Sequence, residues 1–127
     1  MRIFKTKWTA RFARREGIGN ASLCEAIERA ERGIIDADLG GGLIKQRVGR
    51  KGQGRSGGFR MLLAYQIAGR AVFLYGFAKN ERENISPDEL AVLKQVAAMW
   101  LSADETRVAL GLAEGEIQEV DDDDEEA

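Results

Sequence analysis

The chain has 127 residues, 44% hydrophobic and 31% charged, with a formal net charge of -2, enough for one domain with a core of its own. It contains no histidine, which excludes Ser-His-Asp and Cys-His catalysis, two-histidine ribonuclease chemistry and the commonest metal ligand. One cysteine, no Cys/His cluster, no apolar run near the ~20 residues of a membrane span and no apolar signal core at the N-terminus lead to the expectation of a soluble, cytoplasmic protein without metal or cofactor.

In chain order, Met1 to Lys5 is expected to be a short strand and Trp8 to Arg15 a short helix. Asn20 is expected to cap a helix over 21–32, with Leu23, Ile27 and Ala30 on one face and Gly33 ending it. The glycines at 40, 41 and 42 require a turn. Three strands are then expected at about 43–48, 58–66 and 71–77. In the first, Lys45 and Arg47 fall on one face, and Ile44, Gln46 and Val48 on the other. The next two are largely apolar and read as a buried hairpin turning at Ala68-Gly69-Arg70.

The spacing predicts a well-delimited helix over 86–101. Ser86 and Glu89 form a capping box, Pro87 takes the first helical position, and Ile85 and Leu90 stand at the positions of a hydrophobic staple. Leu90, Leu93, Val96, Ala97 and Trp100 trace an apolar stripe, with Trp100 as a core anchor. Ser102 with Glu105 is expected to start a short helix ending at Gly111. The order β-α-α-β-β-β-α predicts an α+β domain, with helices packed on a small, mainly antiparallel sheet.

Charge is distributed unevenly. Residues 1–82 carry 17 Lys/Arg against 7 Asp/Glu, and residues 83–127 carry 2 against 14. Such a split predicts a nucleic-acid-binding body with an acidic tail. The segment from Glu114 to Ala127 has nine acidic residues and no basic one. The expected boundary therefore puts the folded domain at 1–112 and a disordered acidic tail at 113–127. That tail would act either as a solubilising extension or as a segment folding back over the basic body.

Residues 43–60, LIKQRVGRKGQGRSGGFR, hold six cations (Lys45, Arg47, Arg50, Lys51, Arg55 and Arg60), five glycines and no acid. Gly49 to Ser56 nearly matches a P-loop, with Arg in place of Lys, and Gly52 to Gly57 matches G-x-G-x-x-G. Both motifs need a following helix whose N-terminus receives phosphate, and here a strand is expected instead. The composition favours contact with a phosphate-rich polymer over a nucleotide cofactor, the alternative being a solvated hairpin loop. A second constellation, Lys79-Asn80-Glu81-Arg82, follows the third of these strands. Neighbouring strand ends would bring Lys79 and Arg82 towards Arg60.

LGGGLIKQRV (39–48), GRSGGFRMLLAY (54–65) and YGFAKNERENISPDEL (75–90) resemble toxins of the RelE/ParE superfamily, close to its HigB-like branch. With the two N-terminal helices, the similarity spans about 1–101. The pairing of G-R-S-G-G-F-R with G-F-A-K-N-E-R-x-N-I is more specific than either motif alone. The resemblance implies a RelE-like fold, a small antiparallel sheet with two N-terminal helices and a C-terminal helix packed on it. It also implies a metal-independent endoribonuclease that cleaves translated mRNA in the ribosomal A site by attack of the ribose 2′-oxygen on phosphate. Arg60 would contact the scissile phosphate, Lys45 and Arg47 would contact RNA and assist proton transfer, and Lys79 and Arg82 would complete the catalytic cluster. Arg50, Lys51 and Arg55 would bind RNA. The implied partner is a cognate antitoxin, a HigA-like helix-turn-helix protein. The region matching the C-terminal, base-stacking tyrosine of RelE contains none here, and Tyr65 and Tyr75 are expected as core or rim residues. Two alternatives remain open from the residues alone: a ParE-like, non-catalytic inhibitor of DNA gyrase, and a degenerate member that only binds RNA or antitoxin.

Overall fold

In the computed structural model, which describes residues 1–49 and 58–121, ten elements follow one another. They are β1 (Arg2–Thr6), α1 (Lys7–Glu16), α2 (Asn20–Glu31), β2 (Ala37–Gly40), β3 (Leu43–Val48), β4 (Phe59–Tyr65), β5 (Arg70–Ala78), α3 (Pro87–Ser102), α4 (Glu105–Ala113) and β6 (Ile117–Glu119). The strands form one sheet in the order β2-β3-β4-β5-β1-β6. Neighbours are antiparallel except β1 and β5, which run parallel. The fold is α+β, as expected, with a mixed sheet.

The period-2 alternation of the strands decides which helices cover which face. Ile44, Val48, Phe59, Met61, Leu63 and Phe73 face α1 and α2, where they pack with Phe12, Leu23 and Ile27. Leu43, Leu62, Ala64, Val72 and Phe77 face the other way and pack with Ala97 and Trp100 of α3 and Val108 of α4. Trp100 is a core anchor, as its spacing predicts. Gly76 sets the approach of α1, since a Cβ there would strike Met61 and Phe12. The capping box of Ser86 and Glu89 is present, with Pro87 in the first turn. Glycines 40, 41 and 42 all have positive φ and turn β2 into β3.

Four expectations are corrected. Asn20 is the first residue of α2 and not its cap; Gly19 holds that place without a side-chain bond. The Asn20 carboxamide instead accepts from Lys5 Nζ at 2.9 Å, a tertiary contact that capping propensity does not encode. The cap of α4 is Asp104, whose carboxylate accepts from the Arg107 N–H, whereas the Ser102 hydroxyl donates back into the last turn of α3. That helix runs through Gly111 to Ala113, because Gly111 fits against the Trp100 ring. Finally, the folded chain continues past Leu112: β6 pairs antiparallel with β1, burying Ile117 and Val120. Two acids assigned to the tail are paired there, Glu116 with Arg107 and Glu119 with Arg2. Residues 113–121 thus dock at the sheet edge opposite β2 and β3, and the end of the acidic run at 122–127 lies outside the described residues.

β2 was not expected, and side chains hold it in place. Gln46, fully buried, accepts from the Asp36 N–H at 2.8 Å and donates to the carbonyls of Ala26 and Ile34 at 2.9 and 3.1 Å. Arg29, also buried, donates to Glu25, to Asp36 and to the Arg47 carbonyl. The Asp36 carboxylate accepts from the Arg47 N–H at 2.6 Å. These bonds join α2, the chain leading into β2, and β3. The near-isosteric Gln46→Met would strip partners from one N–H and two carbonyls, at a cost of roughly 2–4 kcal/mol. Urea unfolding should show this as a lower midpoint at an unchanged slope, and an unchanged midpoint would show that those groups find other partners.

Candidate nucleic-acid interface

Strand register builds the site. Arg47 of β3 lies directly opposite Arg60 of β4, and Arg60 lies opposite Phe77 of β5. One step along the same face, Lys45 lies opposite Leu62, and Leu62 opposite Tyr75. Lys45, Arg47 and Arg60 therefore share the face covered further along by α3, with Arg47 about half exposed (53%).

Like charges directly opposite on a sheet repel, and the local environment offsets this only in part. Asp36 approaches the Arg47 Nε at 3.9 Å. Arg60 Nη1 is buried without a hydrogen-bond partner among the described residues. Burial, and after it the charge of Arg47, pushes the Arg60 guanidinium below its usual range, against a smaller opposite pull from Asp36. It remains a cation at neutral pH. Two opposed guanidiniums, one with a buried donor that has no partner among the described residues, suit an oxyanion with several acceptor oxygens.

The segment after β5 reaches this row differently for its two cations. The Lys79 N–H donates to the Gly58 carbonyl at 3.2 Å, which holds the exposed Lys79 beside the start of β4. Arg82 lies over Phe77, the residue paired with Arg60, its guanidinium carbon 5.6 Å from the ring centroid. It is already committed, however: its nitrogens donate to both Glu89 oxygens at 2.6 and 3.2 Å and to the Asn84 carbonyl at 2.8 Å. Arg50, Lys51 and Arg55, expected to bind RNA, lie outside the described residues. The segment after the glycines is strand β4, so neither near-match nucleotide motif is followed by the helix it needs.

Two groups of residues near the site escape a sequence reading. Asp36 and Arg29 fix the backbone of Arg47, yet in sequence they are ordinary charges. Trp8 of α1 and Tyr75 of β5 stack at 4.5 Å between ring centroids, although they lie far apart in the chain. The only sequence signal for Trp8 is a large aromatic at the start of a short helix, where it is 41% exposed. Tyr65 lies on the opposite face in the core, where burial raises its hydroxyl pKa.

The model of the family described as RelE toxin of the RelE / RelB toxin-antitoxin system matches residues 1–120. No curated protein matches the chain.

Phosphate at about ten times its dissociation constant should raise the thermal midpoint by roughly 5 °C, and Arg60→Met should lose most of that rise. Equal rises in both proteins would place the anion elsewhere. A second outcome concerns acid. The Glu89 carboxyl is pulled from 4.5 down to about 2, first by Arg82 and then by the Ser86 N–H. A depressed carboxylate stabilises the fold fully above its unfolded pKa, and the contribution is lost as pH falls through its folded value. Glu89→Gln should therefore lose less stability than the parent as pH drops from about 5 towards about 2, measured by denaturant unfolding at each pH.

Proposed function

The chain belongs to the RelE toxin family, and from that premise we propose that it is a ribosome-dependent mRNA endonuclease of HigB-like type. The family implies a toxin with a cognate antitoxin; the antitoxin proposed here is a HigA-like helix-turn-helix protein. The observation that carries the reading is the facing pair Arg47 and Arg60, with one buried Arg60 donor unpartnered among the described residues.

In the proposed reaction, the ribose 2′-hydroxyl loses its proton to a base as its oxygen attacks the adjacent phosphorus. The bond to the 5′-oxygen breaks, that oxygen takes up a proton, and the products are a 2′,3′-cyclic phosphate and a 5′-hydroxyl. Arg60 and Arg47 bind the non-bridging oxygens, where negative charge grows in the transition state. Lys45, half-buried on the same face, is the candidate base. Lys79, exposed beside the start of β4, contacts the flanking phosphate in this reading. Arg82 acts from within its ion pair with Glu89, holding the segment after β5 against Phe77. The chemistry needs no histidine, because arginines bear the charge stabilisation and an amine the proton transfer.

The experiment mixes purified protein with programmed ribosomes and end-labelled mRNA. Wild type should cleave, and Arg60→Ala should be slower by roughly 100- to 1,000-fold with its fold intact. Growth arrest on expression, without cleavage by the wild-type protein, would overturn the nuclease reading and point to a non-nucleolytic target such as DNA gyrase.

A further inference from the structure

The outer face of α1 is a second concentration of positive charge. Lys7, Arg11, Arg14 and Arg15 are all exposed, while Thr9, Ala10, Phe12 and Ala13 of the same helix are buried. Like charges four residues apart on a helix repel, and Arg11 stands in that relation to both Lys7 and Arg15. Of the four cations, Arg15 alone has a carboxylate among the described residues, that of Glu16 at 3.2 Å. Such a face is completed by an anion supplied from outside the helix. A lipid surface does not suit it, because the apolar side of α1 is already packed in the core.

The chain itself delivers an anion close by. The Asp121 carbonyl accepts from Asn20 Nδ2 at 3.4 Å, and Asn20 opens α2, joined to the end of α1 by residues 17–19. After Asp121 come Asp122, Asp123, Asp124, Glu125 and Glu126, all beyond the match to the family model, which ends at residue 120. From Asp121 to Glu126 the backbone reaches at most about 18 Å, the same limit that bounds Arg15 to Asn20. Two other destinations are closed to the run. Val120 donates to the Ile3 carbonyl, and Ile3 pairs with Ala71, six residues along β5 from Phe77, the partner of Arg60. Arg60 is therefore about 20 Å along the sheet, three strands across it and on its other face. The cavity of about 370 Å³ between α2 and β1 carries the exposed carboxylates of Glu28 and Glu31, and its Arg2 is taken by Glu119.

We propose that the carboxylates of residues 122–126 lie along α1, across Arg11, Arg14 and Arg15, and close that face to other polyanions. RNA is thereby confined to the row of Arg47 and Arg60. Exposed ion pairs are individually weak, but a run on so short a tether acts at an effective concentration of roughly millimolar. The contact does not depend on the nuclease reading; only the class of polymer it excludes rests on that reading.

The first test couples amines to carboxylates with a carbodiimide in the full chain carrying Arg14→Lys and Arg15→Lys, which keep the charge. Mass spectrometry of the monomer should find position 14 or 15 joined to the 122–126 segment, and salt at about 1 M should remove that product. Coupling of the segment only to Lys45 or Lys79, only between two copies, or to no lysine would overturn the proposal. The second test measures binding of an uncleavable 2′-O-methyl dodecanucleotide at several salt concentrations. A full-length chain with Asp122→Asn, Asp123→Asn, Asp124→Asn, Glu125→Gln and Glu126→Gln should bind about tenfold more tightly than wild type at low salt. Its salt slope should steepen by about 2, for three phosphate contacts at about 0.7 each. Arg11→Gln, Arg14→Gln and Arg15→Gln together should cancel both gains, yet change wild-type binding less than about twofold, since there the face is already covered. A gain that survives those three replacements, or an equal loss in wild type, would overturn the contact. Arg60→Ala should weaken every chain; if it weakens none, the phosphate row falls while the coupling result still decides the contact on α1.

Discussion

The buried carboxamide of Gln46 is the contact on which the basic face depends. A polar group in a dry core is tolerated only when its hydrogen bonds are made, and Gln46 makes three, to Ala26, Ile34 and Asp36. Those bonds lock α2 and the chain entering β2 onto one side of β3. Period-2 alternation then leaves Lys45 and Arg47 no choice but the other side. A slip of one residue would bury two cations and expose Ile44 and Val48. Arg29 and Asp36 reinforce the register by bonding the Arg47 carbonyl and N–H. The position of the cations is therefore a consequence of a polar knot on the far face of the same strand.

Electrostatics in this fold are divided between paired and open groups. Most described arginines outside the basic row have carboxylates: Arg2 with Glu119, Arg29 with Glu25, Arg82 with Glu89, Arg107 with Glu116. The exposed pairs among them add little stability, but all of them remove cations from competition for an anion. Arg47 and Arg60 are left facing each other with Asp36 as partial relief. The cost of that repulsion is borne by the sheet, and a bound phosphate would reverse its sign. The acidic residues nearest the C-terminus take part in the same division, since Glu116 and Glu119 help fasten β6 to the edge farthest from the basic row.

The readable parts of the sequence are those in which local chemistry and global fold agree. The helix beginning at Ser86 was legible because its cap, its first-turn proline and its apolar stripe all act within a few residues. β3 was legible from alternation, and β4 and β5 from largely apolar runs and the turn residues between them. β2 was not, because Ala37–Gly40 is short, half-exposed and held by side chains from elsewhere. The C-terminal boundary failed for a related reason. In sequence, Glu114 to Glu119 is an acidic stretch with isolated apolar residues, and only the exposed edge of β1 turns Ile117 and Val120 into core residues. Asn20 and Ser102 likewise had cap-like neighbours, but tertiary and last-turn bonds claimed their side chains.

By itself, the sequence determined the α+β class, the cations on one face of β3, the capped helix α3 and the exclusion of histidine chemistry. Each of these follows from residue type and from spacings of two to four residues, which the backbone imposes regardless of context. The tertiary structure alone decided that Arg47 faces Arg60, that Arg82 is held by Glu89, and that Trp8 meets Tyr75. It also decided that two acids of the supposed tail close the sheet. Those facts depend on register between strands and on which helix end meets which strand end, and both are set by core packing across long stretches of chain. Local propensity carries no term for such distances.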